Sequence, residues 1–225
     1  MKPSKKIKVL ITAGPTKEPL DPVRFISNRS SGRLGTEIAL ASHNAGCSTK
    51  LLIGSGSNYN YQNLPFPTLP FETNNDLSNS LEKHSEWFDL LIMSAAVVDF
   101  IPIKKPEAKI IRDPDLNYSI NLKPSPDLLA KISKNRKKNQ YICGFALKEI
   151  PSLESDAVKK LKNKKIDAIV GNSLKSMEGS LIHDPFIYWQ DESKSFISEK
   201  KSIEKKEFAD WLVNELLNKF FPTTF

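Results

Sequence analysis

The stretch VRFISNRSSGRLG, residues 23–35, decides the fold. It runs into a helical pattern. Leu34, Ile38, Ala41 and Ala45 recur on one face and Gly46 is a natural stop, so a helix is predicted from Ser31 to Ala45. Upstream lies IKVLIT (7–12), a short apolar run that ends in the small-residue turn Thr12-Ala13-Gly14. A strand, a small turn and a helix opening on two serines and a glycine make the first unit of a nucleotide-type α/β fold. Free N–H groups at the helix start favour a phosphate or a carboxylate. The alternative is an ordinary cap with a glycine for packing, and both readings stand at this point.

Working outward, strand and helix patterns alternate. STKLLIG (48–54) reads as a second strand. NLPFPTLPF (63–71) holds three prolines, so a strand there is short or at an edge. A helix over about 76–87 leads to the buried strand LLIMSAA (90–96), and a helix from near Pro126 leads to YICGFA (141–146). A helix over 154–165 then leads to IDAIVG (166–171). Residues 99–124 are rich in Pro and Lys and read as a long loop or lid. FIYW (186–189) and KSFIS (194–198) suggest an antiparallel pair, followed by a helix from Glu204 to Phe220. The expected architecture is α/β over 1–225 as a single domain: a Rossmann-like, mostly parallel sheet flanked by helices, with a long lid and a small antiparallel C-terminal extension.

Composition narrows the function. Of 225 residues, 39% are hydrophobic, enough for a sizeable core, and no apolar run approaches a membrane span. The basic start MKPSKKIKVLIT has too short an apolar part for a signal peptide. Cys47 and Cys143 stand outside any CxxC pattern, and the three histidines are scattered, which gives no zinc signature. A reducing, cytoplasmic setting is expected, with no membrane partner. Net charge is +7. The lysine runs at 131–138, 159–165 and 198–206 lack interleaved aromatics, so they read as solvated helix faces rather than a nucleic-acid surface.

Ligands in an open parallel sheet bind beyond the C-terminal strand ends. The candidates there are Thr12-Ala13-Gly14, Ser94 through Asp99, Gly144-Phe145-Ala146 and Gly171-Asn172. GxGxxG is absent, leaving only Gly32-x-x-Gly35, and the second strand ends in Gly54-Ser55-Gly56 without an acid for a ribose. A Walker A loop is also absent. A Rossmann-type NAD(P)-dependent oxidoreductase is therefore the alternative reading, not the leading one.

Together, ITAGPTKEPLDPVRFISNRSSGRLG (11–35), SAAVVDF (94–100), PEAKIIR (106–112), PDLL (126–129), GFA (144–146) and IDAIVGNS (166–173) resemble the phosphopantothenate–cysteine ligase family. The spelling Ile26-Ser27-Asn28 is similar to its bacterial, CTP-using type. The resemblance implies a carboxylate–amine ligase of coenzyme A biosynthesis that joins 4′-phosphopantothenate to L-cysteine through an acyl-cytidylate and releases pyrophosphate and CMP. Mg²⁺ is implied with the CTP phosphates. A homodimer is implied with the active site at its interface. Because IKVLIT begins almost at once, the expectation is a stand-alone ligase without the flavin-dependent decarboxylase that precedes it in many bacteria, with a separate decarboxylase as a possible partner.

The same resemblance gives residues roles. Asn28 would contact the acyl-cytidylate, with Arg24 nearby linked to catalysis and Lys109 closing as the lid lysine. Gly14, Ser30, Ser31 and Gly32 would hold phosphate. Met93, Ser94, Ala95 and Asp99 would contact the nucleotide, Asp99 holding the ribose or a metal. Pro126, Asp127, Leu128, Leu129 and Phe145 would form the cytidine pocket, with Lys160 and Lys164 meeting the nucleotide from one helix face. The sequence departs from the family at Gly14-Pro15, where a second glycine is usual. It departs again at Lys148, where an acid is usual.

Overall fold

The computed structural model describes residues 6–115, 117–177, 179–191, 193–196 and 202–222. In chain order the elements are β1 (Lys8–Ala13), β2 (Lys17–Pro19), β3 (Phe25–Ser27), α1 (Arg33–Asn44), β4 (Ser48–Gly54), β5 (Thr68–Phe71), α2 (Asn74–Lys83), β6 (Leu90–Met93), β7 (Phe100–Pro102) and β8 (Leu122–Pro124). There follow α3 (Leu128–Asn135), β9 (Tyr141–Lys148), α4 (Leu153–Lys164), β10 (Ala168–Ser173), β11 (Leu181–His183), β12 (Phe186–Trp189), β13 (Lys194–Ser195), β14 (Ser202–Glu204) and α5 (Lys205–Phe220).

An eight-stranded sheet runs in the order β13-β12-β10-β9-β6-β1-β4-β5. Its stretch from β10 to β5 is parallel, and β12 and β13 close one edge antiparallel. The central strands carry near-continuous apolar runs because both faces are covered. Val9, Ile11 and Ala13 of β1 face a core shared with α1 and α5, while Leu10 faces the other way, toward α2, α3 and α4. Leu51 and Ile53 against Leu52, and Leu90 and Ile92 against Leu91, repeat this division. β5 lies at the opposite edge, where the missing N–H of Pro70 breaks no central ladder.

The order turns at β1: β4 and β5 follow on one side, β6, β9 and β10 on the other. That reversal opens a crevice at the C-terminal ends of β1 and β6. Its floor is stitched shut, with Ser94 N donating to Thr12 O (3.2 Å), Ala96 N to Gly14 O (2.9 Å) and Thr16 N to Ala96 O (3.2 Å).

Some expectations need correcting. The helix predicted over 76–87 occupies 74–83, because Thr73 and Asp76 form a capping box that starts it early. The loop at 99–124 is not structureless: β7 and β8 pair as a stem beneath it. The hairpin β2–β3 and the pair β11–β14 had no signal in the pattern. Of KSFIS, only Lys194 and Ser195 form a strand, paired with β12, and Ile197 and Ser198 lie outside the described residues.

Candidate active site

α1 starts at Arg33 with Gly32 as its N-cap, at φ 81°, in the left-handed region that glycine enters without strain. The serines do not cap the helix in the usual way. Ser30 Oγ accepts from Gly32 N (3.4 Å) and Ser31 Oγ from Arg33 N (3.3 Å), which folds the loop into a cup before the first turn. Gly35 lets α1 press onto β1: a Cβ there would lie 2.4 Å from the Ala13 Cβ and 2.5 Å from Ser94 Oγ. The helix start therefore lines the crevice, where the positive end of its dipole favours an anion.

The cleft holds about 410 Å³. It gathers ten of the residues expected from the sequence: Gly14, Asn28, Ser30, Ser31, Gly32, Ser94, Ala95, Asp99, Phe145 and Lys160. Asn28 is fixed by donation from Nδ2 to Ala96 O (3.1 Å), which leaves its second amide hydrogen free to bond. Ser94 Oγ donates to Thr12 O (2.6 Å). Across the cleft, Lys160 is half-buried and donates to Phe145 O (2.5 Å), which ties α4 to the end of β9. Burial pushes its ammonium down to about 8, and neighbouring Lys164 adds to this against the pull of Asp127 and Asp99. Lys160 is not the exposed lysine its run suggested.

Other expected residues lie outside the cleft. Met93 is the last residue of β6 and is buried on the α2–α3 side. Asp127 caps α3 by accepting from Ala130 N (3.0 Å) and pairs with Lys164 (2.8 Å), while Leu128 and Leu129 are core. Pro126 is exposed just before that cap. Arg24 is not among the residues that line the cleft; it grips Asp21 through Nε (3.0 Å) and Nη2 (2.5 Å), and its Nη2 also donates to Ile110 O (2.7 Å). Asp21 accepts from Ile110 N as well (3.1 Å), so the pair pins the arm that carries exposed Lys109. Arg24 holds the Asp21 carboxyl well below the usual carboxylate range.

Asn172, named from the sequence only as part of a strand-end candidate, also lines the cleft, as do Arg33 and Lys205, which the sequence did not single out. Asn172 had a signal as a small polar residue at the end of a parallel strand. Arg33 and Lys205 had none, since lysine and arginine at helix starts usually face water.

Among the described residues no helix is long and apolar enough to cross a membrane. A model of the DNA/pantothenate metabolism flavoprotein C-terminal domain family matches residues 4–220. A cysteine/cysteine sulfinic acid decarboxylase from an unknown prokaryotic organism is 37% identical over 81% of this chain and 50% of its own length. The coenzyme A biosynthesis bifunctional protein CoaBC of Borreliella burgdorferi is 31% identical over 91% of this chain and 51% of its own. The chain thus spans about half the length of these curated relatives. The crystal structure of the C-terminal domain of a coenzyme A biosynthesis bifunctional protein CoaBC superposes with a TM-score of 0.75 at 29% identity and covers 93% of both chains. On this match the chain belongs to the DNA/pantothenate metabolism flavoprotein C-terminal domain family.

Proposed function

We propose that this chain is a phosphopantothenate–cysteine ligase that uses CTP, acting in the cytoplasm in coenzyme A biosynthesis. The observation that carries the reading is the convergence of the Asn28–Gly32 cup, Ser94 to Asp99, Phe145 and Lys160 on one cleft at the topological switch point. Family membership and the coenzyme A role in the name of the CoaBC relative support it.

In the first half-reaction a carboxylate oxygen of phosphopantothenate bonds the α-phosphorus of CTP. The bond from that phosphorus to the bridging oxygen breaks, and pyrophosphate leaves with the electron pair. An unactivated carboxylate is a poor acyl donor, and the mixed anhydride with CMP solves this. In the second, the cysteine amine attacks the acyl carbon, loses a proton, and CMP leaves. The cup on α1 would hold phosphate oxygens through backbone and hydroxyl donors. The free amide hydrogen of Asn28 would meet the acyl oxygen as charge develops on it. Lys160 would bring a desolvated positive charge to the nucleotide from the far wall.

Mg²⁺ fits only in one manner. Among the described residues no three His, Cys, Asp or Glu side chains gather to cage a metal. The cleft offers hydroxyls, amides and the single carboxylate of Asp99, a set suited to an ion carried in by the triphosphate and touched by Asp99 alone. Such an ion would neutralise charge on the β- and γ-phosphates. A homodimer belongs to the proposal too: Phe25, Phe100 and Ile111 are 51%, 53% and 87% exposed on the β2–β3 hairpin and the neighbouring arm, an apolar surface that a second copy would cover. The test is product analysis with CTP, phosphopantothenate and cysteine. The expected products are phosphopantothenoylcysteine, CMP and pyrophosphate in equal amounts, with a clear kcat/KM preference over ATP. Equal kcat/KM for the two nucleotides would defeat the CTP assignment.

A further inference from the structure

Lys205 opens α5 within a lysine run that reads as solvated, yet it is 3% exposed and lines the cleft. The fold builds this position. β14 pairs with β11, Lys205 N donates to Ser180 O (2.8 Å), and its Nζ donates to Gly179 O (3.0 Å). An ammonium has three donors, so two remain for the cleft. Arg33, in the first turn of α1, repels Lys205, and its Nε is buried without an acceptor. The nearest carboxylate to Arg33, Glu204, stands 3.8 Å away and half exposed. Burial first and Arg33 second lower the Lys205 pKa, against Glu204. Desolvated cations of this kind are costly unless an anion meets them.

We propose that Lys205, with Arg33, is the subsite for the β- and γ-phosphates of the nucleoside triphosphate and holds pyrophosphate as it leaves. This rests on the reading of the cleft as a CTP site. Arg33 is the first residue of α1 and Lys205 lines the same cleft beside it, next to the Ser30–Gly32 cup that would take the α-phosphate, so the next phosphates along the chain fall to them. When the bond from the α-phosphorus to the bridging oxygen breaks, the electron pair settles on the pyrophosphate oxygen. The ammonium stabilises that charge with no proton transfer.

The test compares ligands that differ only in these phosphates. Calorimetric binding of CTP, CMP, pyrophosphate and phosphopantothenate is measured on the wild type, Lys205→Met and Lys205→Arg. Lys205→Met should weaken CTP and pyrophosphate by roughly 10- to 100-fold, the range for a hydrogen bond to a charged group, and leave CMP and phosphopantothenate nearly unchanged. Lys205→Arg should recover part of the loss. Equal weakening of CTP and CMP would reduce Lys205 to a structural support. Weakening of phosphopantothenate alone would reassign the subsite to its 4′-phosphate. Either outcome overturns the proposal. Should Lys205→Met fail to fold, Arg33→Gln must show the same CTP-selective loss. A wild type that binds CTP and pyrophosphate but makes no phosphopantothenoylcysteine sinks the ligase reading alone. A ligating wild type whose Lys205→Met variant keeps its CTP-over-CMP preference sinks the subsite alone.

Discussion

Replacing Lys160 with methionine should stabilise the protein while it disables the site. Methionine keeps most of the volume of the side chain and removes its charge. A fall from the ordinary 10.5 to about 8 on burial means that the folded state pays about 3 kcal/mol to keep this ammonium charged at neutral pH. Against this, the substitution deletes the hydrogen bond from the charged ammonium to Phe145 O, worth about 1.5–3 kcal/mol. A net gain of up to about 1.5 kcal/mol at pH 7 is expected. The sign follows from linkage. Between pH 8 and 10.5 the unfolded lysine holds a proton that the folded one has released, so wild-type stability rises with pH across that window. Methionine does not titrate, and the advantage of the variant should shrink by about 2 kcal/mol between pH 7 and pH 10. Urea unfolding of both proteins at several pH values measures this, and CTP kinetics should show a loss of at least about tenfold. A variant less stable than wild type at pH 7, or a difference that does not change with pH, would refute the reasoning.

Three further outcomes follow from the geometry. Asn28→Ala should leave the circular dichroism spectrum intact and lower turnover by roughly 10²–10³, the cost of one oxyanion-type donor; near-normal turnover would make Asn28 a loop residue. Gly35→Ala puts a Cβ 2.4 Å from the Ala13 Cβ and should cost about 1–3 kcal/mol in urea unfolding, since α1 cannot approach β1 as closely. Asp21→Asn should lower Tm and speed proteolysis within 103–121, because the carboxylate holds both Arg24 and the Ile110 amide. The contribution of Asp21 is present at neutral pH and lost only as strong acid protonates it, since its folded pKa is depressed.

The central sheet was legible because strands buried on both faces are long apolar runs, and VLI, LLI and AIV announce them directly. The cup on α1 was legible because two serines and a glycine before an amphipathic pattern are a local signal. The β2–β3 hairpin was not: KEP and FIS are three residues each, too short for an alternation to register. Lys205 escaped for a different reason. Its sequence neighbours are charged, and its burial is decided by β14 pairing with β11, a contact between segments about 20 residues apart along the chain. Lys160 and Lys164 share a helix face, yet only Lys160 lines the cleft, because Lys164 is taken up by Asp127 on α3. Spacing alone cannot distinguish the two.

The central claim is that the cleft makes and keeps an acyl-cytidylate, and the direct measurement is pyrophosphate release in the absence of cysteine. With CTP and phosphopantothenate in excess, the account predicts one burst equal to the concentration of sites. CMP should follow only when cysteine is added. No pyrophosphate without cysteine, or steady release beyond the number of sites, would contradict it.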